Sequence, residues 1–102
     1  MVAYWVARAK INDRAAYKIY TDQVPGILAK FDGRVLARGG DYETLEGPST
    51  FERFVVIEFP SMDAARACFN SSEYEVAASF RRADGVGQNE LTIVEAGEAT
   101  PV

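Results

Sequence analysis

Short β-favouring runs, one of them almost unbrokenly apolar, are separated by stretches in which apolar positions recur every third or fourth residue, so strands and amphipathic helices share the chain. Val2 to Lys10 reads as a first strand, with Val2, Tyr4, Val6 and Arg8 on one parity and Ala3, Trp5, Ala7 and Ala9 on the other. The alanines predict a face that helices approach closely, with Trp5 filling the space between them. Asn12 or Asp13 can accept from the free N–H groups of a helix start. Ala16, Tyr17, Tyr20, Val24, Ile27, Leu28 and Phe31 then form one apolar stripe. Pro25 falls inside it. Proline removes an N–H and clashes one turn back, so the pattern predicts a kink, or a break with a restart near Val24. Asp32-Gly33 supplies the stop.

A second strand, Gly33 to Gly40, and a third, Arg53 to Pro60, flank a polar hairpin connection. Arg34, Leu36 and Arg38 share one parity of the second strand. Gly39-Gly40 predicts a bulge or a close backbone approach, with the strand continuing through Asp41 to Glu46 and turning at Glu46-Gly47-Pro48-Ser49. In the third strand Phe54, Val55, Val56, Ile57 and Phe59 are nearly unbroken, which places apolar side chains on both faces of the sheet. Ser61 caps the next helix, whose stripe is Ala64, Ala65, Cys68 and Phe69. Ser72-Glu73-Tyr74-Glu75 fits a capping box and predicts a helical restart, with Val76, Ala77 and Phe80 facing inward and Arg81 and Arg82 at the C-terminal end, where cations are favoured. Asn89 to Glu95 is the fourth strand. Residues 1–96 are read as one domain and 97–102 as a frayed tail.

This order predicts an α+β, ferredoxin-like βαββαβ fold: a four-stranded antiparallel sheet with spatial order 4-1-3-2 and helices on one face. The other face of so apolar a sheet needs a second cover. A chain of 102 residues has little left to supply one, so a homodimer is expected, its two sheets packed face to face as a dimeric α+β barrel.

Composition narrows the chemistry. The formal charge of −4 argues against nucleic acid, which is met by a basic face. No run of about 18 apolar residues is present to span a membrane. One cysteine, Cys68, excludes an internal disulfide framework and fits a reducing compartment, with the cytoplasm as the default. Histidine is absent, which removes Ser-His-Asp and Cys-His nucleophile arrangements and histidine-based zinc sites. No metal constellation is visible and no cofactor is expected. Acid–base chemistry would fall to a carboxylate, a tyrosine, a lysine or Cys68, which on an apolar helix face reads as an inert thiol.

From Tyr4-Trp5 to Val94-Glu95 the chain resembles the DUF1330 proteins, a domain family of unknown function within the dimeric α+β barrel superfamily. Leu36-Ala-Arg-Gly-Gly40, Leu45-Glu-Gly47, Arg53, Val56-Ile-Glu-Phe-Pro-Ser61 and Ser72-Glu-Tyr74 carry the resemblance. Two positions depart from it, Ser72 where proline is common and Arg14 where proline often follows the capping aspartate. The resemblance implies the fold and dimerisation and supplies no established reaction. Relatives by fold include cofactor-independent monooxygenases, haem-degrading enzymes and lactone isomerases, and fold alone does not transfer their activity.

The residues that bear chemistry form two groups. Arg8, Arg38 and Arg53 lie at strand ends that the topology brings together, with Glu43 and Glu46 on the adjoining hairpin. They form either a salt-bridge network or an anion site, since arginine presents a planar fork to carboxylate and phosphate. Glu58 lies near the opposite end, close to Arg34 and Tyr4. It is either paired to arginine or an acid–base group in a pocket with Tyr17, Tyr20 or Tyr74. No catalytic constellation is identifiable, so the chain reads as a structural or interaction module, with a protein binding, or acting on, a small organic acid or aromatic compound as the alternative.

Overall fold

A computed structural model describes residues 1–99. Its elements are β1 (Ala3–Ile11), α1 (Arg14–Ala29), β2 (Arg34–Arg38), β3 (Arg53–Phe59), α2 (Met62–Asn70), α3 (Ser72–Arg82) and β4 (Gly87–Glu95). The four strands form one sheet in the order β2-β3-β1-β4, antiparallel throughout. This is the predicted ferredoxin-like arrangement, with the second helical region divided in two.

Strand parity decides what each face does. Ala3, Trp5 and Ala9 of β1 and Ile57 and Phe59 of β3 are buried beneath the helices. Val6 of β1 and Val94 of β4, on the other parity, are each 45% exposed. Trp5 anchors the core: its indole N–H donates to the Ala65 carbonyl at 3.1 Å, and its ring lies 5.0 Å from Phe59 and 5.1 Å from Tyr74. The helix contribution to this core comes from Val24, Ile27 and Leu28 of α1, Ala65 and Cys68 of α2, and Tyr74, Ala77 and Ala78 of α3.

The helix ends follow local chemistry. The Asp13 carboxylate accepts from the Ala16 N–H at 3.1 Å and the Ser61 hydroxyl from the Ala64 N–H at 3.0 Å. Ser71, rather than Ser72, starts α3. Its hydroxyl accepts from the Tyr74 N–H and donates to the Cys68 carbonyl, so one side chain ends α2 and begins α3.

Three other expectations are corrected. α1 runs unbroken as an α-helix from Arg14 to Ala29 with Pro25 inside it, so proline removes one hydrogen bond without ending the helix. β2 stops at Arg38, and no strand continues through residues 41–46. The buried face of α3 is Tyr74, Ala77, Ala78 and Arg81, whereas Val76 is 61% exposed and Phe80 is exposed as well. Of the tail expected at 97–102, residues 100–102 lie outside the described residues. Before them, the Ala99 N–H donates to the Ala96 carbonyl in a turn at 2.9 Å.

Candidate functional site

A cavity lies between the helices and the sheet, towards the Arg38 end of β2. Its apolar wall is Trp5, Val24, Leu28, Val55, Ile57 and Leu91, and its polar wall is Tyr17, Tyr20, Arg38, Arg53, Arg81 and Asn89. About 50 Å³ is accessible to the centre of a water-sized sphere, within an empty volume of about 610 Å³ that includes the open mouth. One water needs roughly 10–15 Å³ measured in that way, so the enclosed part suits a few waters or a compact organic group.

All three predicted arginines touch this cavity, and register explains why two stand on its helix side and one only at its border. Arg53 opposes Ala9, on the parity of Trp5, and so lies on the helix side. Arg38 would share the parity of Arg34 in a regular strand. A bulge shifts the pairing between Val35 and Ala37, so that Arg38 opposes Val55 and joins Val35 on the cavity side. Re-aiming a side chain is what such an irregularity does. Arg8 opposes Phe54 and Glu90 on the other parity. There its guanidinium pairs with Glu90 at 2.9 Å and sits 4.1 Å above the Phe51 ring. The expected cluster of three is thus two on the cavity side and one paired at its border.

Gly39 sets the position of Arg53. A Cβ built on Gly39 would lie 2.7 Å from Arg53 Nη1, and φ at Gly39 is +66°, in the left-handed region glycine tolerates. The close approach predicted at Gly39-Gly40 is therefore real, while the bulge lies upstream in β2.

The tyrosines meet Arg81, which its place near the C-terminal end of α3 predicts only as a helix-end cation. Tyr20 and Tyr74 hydroxyls are 2.8 Å apart, and Arg81 Nη2 donates to Tyr74 Oη at 3.1 Å. Arg81 is only 7% exposed, with its guanidinium carbon 5.2 Å from the Tyr20 ring centre. Tyr17 stacks edge-on to Tyr20 at 5.5 Å, and its hydroxyl reaches Asn89 Oδ1 at 3.4 Å. The spacing 74, 77, 78, 81 was the available signal, since it puts Arg81 on the face of Tyr74. The alanines hid that face because the larger Val76 and Phe80 drew the stripe elsewhere.

Burial keeps the Tyr17 and Tyr20 phenols neutral. Burial raises the Tyr17 pKa against the opposing influence of Arg53 and Arg81. Burial, with Tyr74 beside it, raises that of Tyr20 strongly. Burial disfavours the charged form of Arg81, but the neighbouring Tyr74 and Tyr20 phenols outweigh it and its pKa is raised. Neither tyrosine is a counter-ion for arginine at neutral pH. Among the described residues no carboxylate lies within 4.0 Å of Arg38, Arg53 or Arg81.

The predicted carboxylates are elsewhere. Glu58 opposes Tyr4 and Arg34 and lies 3.9 Å from Arg34 on the open face, so an acid–base role beside the tyrosines is not what the geometry offers. Glu43 and Glu46 are exposed on the 39–52 connection and make no ion pair among the described residues. Cys68 is fully buried, and burial pushes its thiol up to about 11. Among the described residues no three potential metal ligands cluster, and no helix is long and apolar enough to cross a membrane.

The model of a family described as a domain of unknown function, DUF1330, matches residues 2–96. No curated protein matches the chain. Among solved structures, a protein of unknown function from Rhodopseudomonas palustris is similar at TM-score 0.77 and 19% identity, covering 98% of this chain and 84% of that one. A dimeric protein of unknown function and ferredoxin-like fold from Bacteroides fragilis is similar at TM-score 0.63 and 14% identity, covering 92% and 95%. SnoaB, a cofactor-independent oxygenase from Streptomyces nogalater, is similar at TM-score 0.64 and 16% identity, covering 99% and 98%. Identities this low show a shared fold.

Proposed function

The chain belongs to the DUF1330 family, whose function is unknown, and from that premise we propose that it is a homodimeric small-molecule-binding protein. The observation that carries this reading is the cavity itself, where apolar walls meet converging polar groups that include Arg38, Arg53 and Arg81, none of them paired to a carboxylate among the described residues. A structural module with a filled interior has no use for a buried arginine that faces a space instead of a carboxylate. SnoaB is a cofactor-independent oxygenase of similar fold, and a shared fold at 16% identity does not transfer its activity. Binding is therefore proposed, and a reaction is not.

Dimerisation is supported by the sheet face opposite the helices, where Val6 and Val94 are open and Phe54 and Val56 are half-buried. Two such faces together make the dimeric α+β barrel expected for this family. A chain whose only thiol is buried and unpaired suits the reducing cytoplasm.

Trp5 supplies the test, because the only tryptophan of the chain lies on the cavity wall. A panel of small organic acids, amides and alcohols titrated against its fluorescence is expected to give saturable changes for some members. The response should disappear in a folded Leu91→Phe variant, in which the added ring fills the cavity. Saturation unchanged in that variant would move the binding elsewhere and refute the assignment.

A further inference from the structure

We propose that the ligand of this cavity is a small organic carboxylate, its oxyanion held by Arg81 and Arg53 and its apolar body against Val24, Leu28, Val55 and Leu91. The inference rests on the binding role above and adds the class of ligand. It starts from Arg81, a guanidinium with five N–H donors, of which one is used by Tyr74 Oη. No enclosed side-chain nitrogen or oxygen among the described residues lacks a partner. The other donors of Arg81 are therefore not sealed in protein, and the space this side chain borders is the cavity.

Charge points the same way. The chain as a whole carries a formal charge of −4, yet four arginines and one carboxylate line one small space, and Arg38, Arg53 and Arg81 have no ion-pair partner among the described residues. Glu90, at the border, is taken by Arg8. A cation removed from water without a partner is unfavourable, and an anion entering a site of reduced dielectric is attracted more strongly than in bulk water. The neutral phenols of Tyr17 and Tyr20 can accept or donate a hydrogen bond but leave the positive charge unanswered.

Shape selects among oxyanions. Arg81, Arg53 and the Tyr17 and Asn89 side chains, whose polar atoms lie 3.4 Å apart, all line the cavity and form its polar end, where the oxyanion is placed. The wall opposite is aliphatic, and the enclosed space is too small for a nucleotide. A carboxylate on a compact branched or aromatic body satisfies both walls, whereas inorganic phosphate would leave the aliphatic wall wet. Arg38, on the edge strand, is exposed, so it serves entry more than anchoring.

The experiment titrates acids from isobutyrate to benzoate, each beside its neutral amide, with Trp5 fluorescence and isothermal calorimetry as readouts. Acids are expected to bind at least tenfold more tightly than their amides, and more tightly than inorganic phosphate. Arg81→Met, checked for folding by circular dichroism, should lose that preference. If it does not fold, Arg53→Gln, whose side chain lies at the strand start and not within the core, is expected to weaken the acids at least tenfold while leaving the amides unchanged. Amides binding as tightly as acids would overturn the carboxylate assignment and leave the small-molecule pocket standing. Phosphate binding as tightly as benzoate would overturn the apolar half of the proposal. No binding by either series would overturn both the ligand class and the binding role.

Discussion

At the scale of single residues, the site depends on side chains whose neighbours fix them. Gly39→Ala should cost about 1–2 kcal/mol in urea denaturation, because an L-residue in the left-handed region carries that strain. It should also weaken acid binding, because its Cβ would displace the Arg53 guanidinium. Gly40→Ala is the control: its Cβ meets nothing within 4 Å, and its stability should change by less than about 1 kcal/mol. Tyr74→Phe removes the one acceptor seen on Arg81 and is expected to destabilise by about 2 kcal/mol, more than Tyr20→Phe, which leaves Arg81 its partner. The ionisable groups also make a pH prediction. Cys68, Tyr17 and Tyr20 all have pKa values raised by burial, so the unfolded chain loses these protons first. Their contribution is complete below the unfolded values, 9.0 for the thiol and 10.0 for the phenols, and declines as pH rises beyond them. Melting temperature measured from pH 8 to 11 should fall, and Cys68→Ala should flatten the part of the fall between pH 9 and about 11. A flat profile in the parent would show that these groups are not buried as described.

At the scale of elements, what the sequence revealed depended on how strongly packing constrains each segment. β1 and β3 are legible because burial of Trp5, Ile57 and Phe59 under the helices demands apolar, β-favouring residues, which both segments carry in short runs bounded by polar ones. β2 was read too long and with Arg38 on the wrong side, because every residue of this edge strand is exposed and its bulge leaves no apolar trace. α3 was read with its face rotated. Ala77 and Ala78 pack closely under Tyr74 without contributing the bulk by which a stripe is recognised, and so Arg81 was given a surface role. Glu58 was placed at the correct end of the sheet, near Arg34 and Tyr4. Its face followed from parity alone, and the parity is the open one. In α1 the proline rule overreached. The stripe through Val24, Ile27 and Leu28 stays buried on both sides of Pro25, and tertiary packing holds the helix across the missing bond. Pro25→Ala restores an N–H for the Thr21 carbonyl and should therefore stabilise the protein by at least about 1 kcal/mol, read from the denaturation midpoint. A loss of stability would mean that proline's restriction of the unfolded chain outweighs the helical bond it forgoes.

At the scale of the whole molecule, the sheet has one covered face and one that the chain leaves open. The 39–52 connection covers part of it through Tyr42, whose ring stacks on Phe54 at 5.0 Å, but Tyr42 and Leu45 are themselves exposed. Val6 and Val94 are therefore apolar surface left open on this face, and Tyr42 is only partly covered by Phe54, on a molecule whose core already lies on the other side of the sheet. A second copy placed face to face would bury them, and none of Val6, Val94 and Tyr42 lines the cavity. Sedimentation equilibrium at micromolar concentration is expected to give twice the 11.2 kDa of the chain. Val6→Asp should shift the population towards monomer, because a carboxylate buried in that interface would have no partner, at a cost of several kcal/mol. Thr92→Asp, on the neighbouring edge strand and the same face, should act more weakly, since water can reach an edge position. Acid binding by the Val6→Asp monomer, if it folds, should persist within a few-fold of the parent, because every residue proposed to hold the ligand belongs to one chain. Loss of binding in parallel with loss of the dimer would show that the partner completes the site, and would place the dimer interface, not the Arg81 cavity alone, at the centre of function.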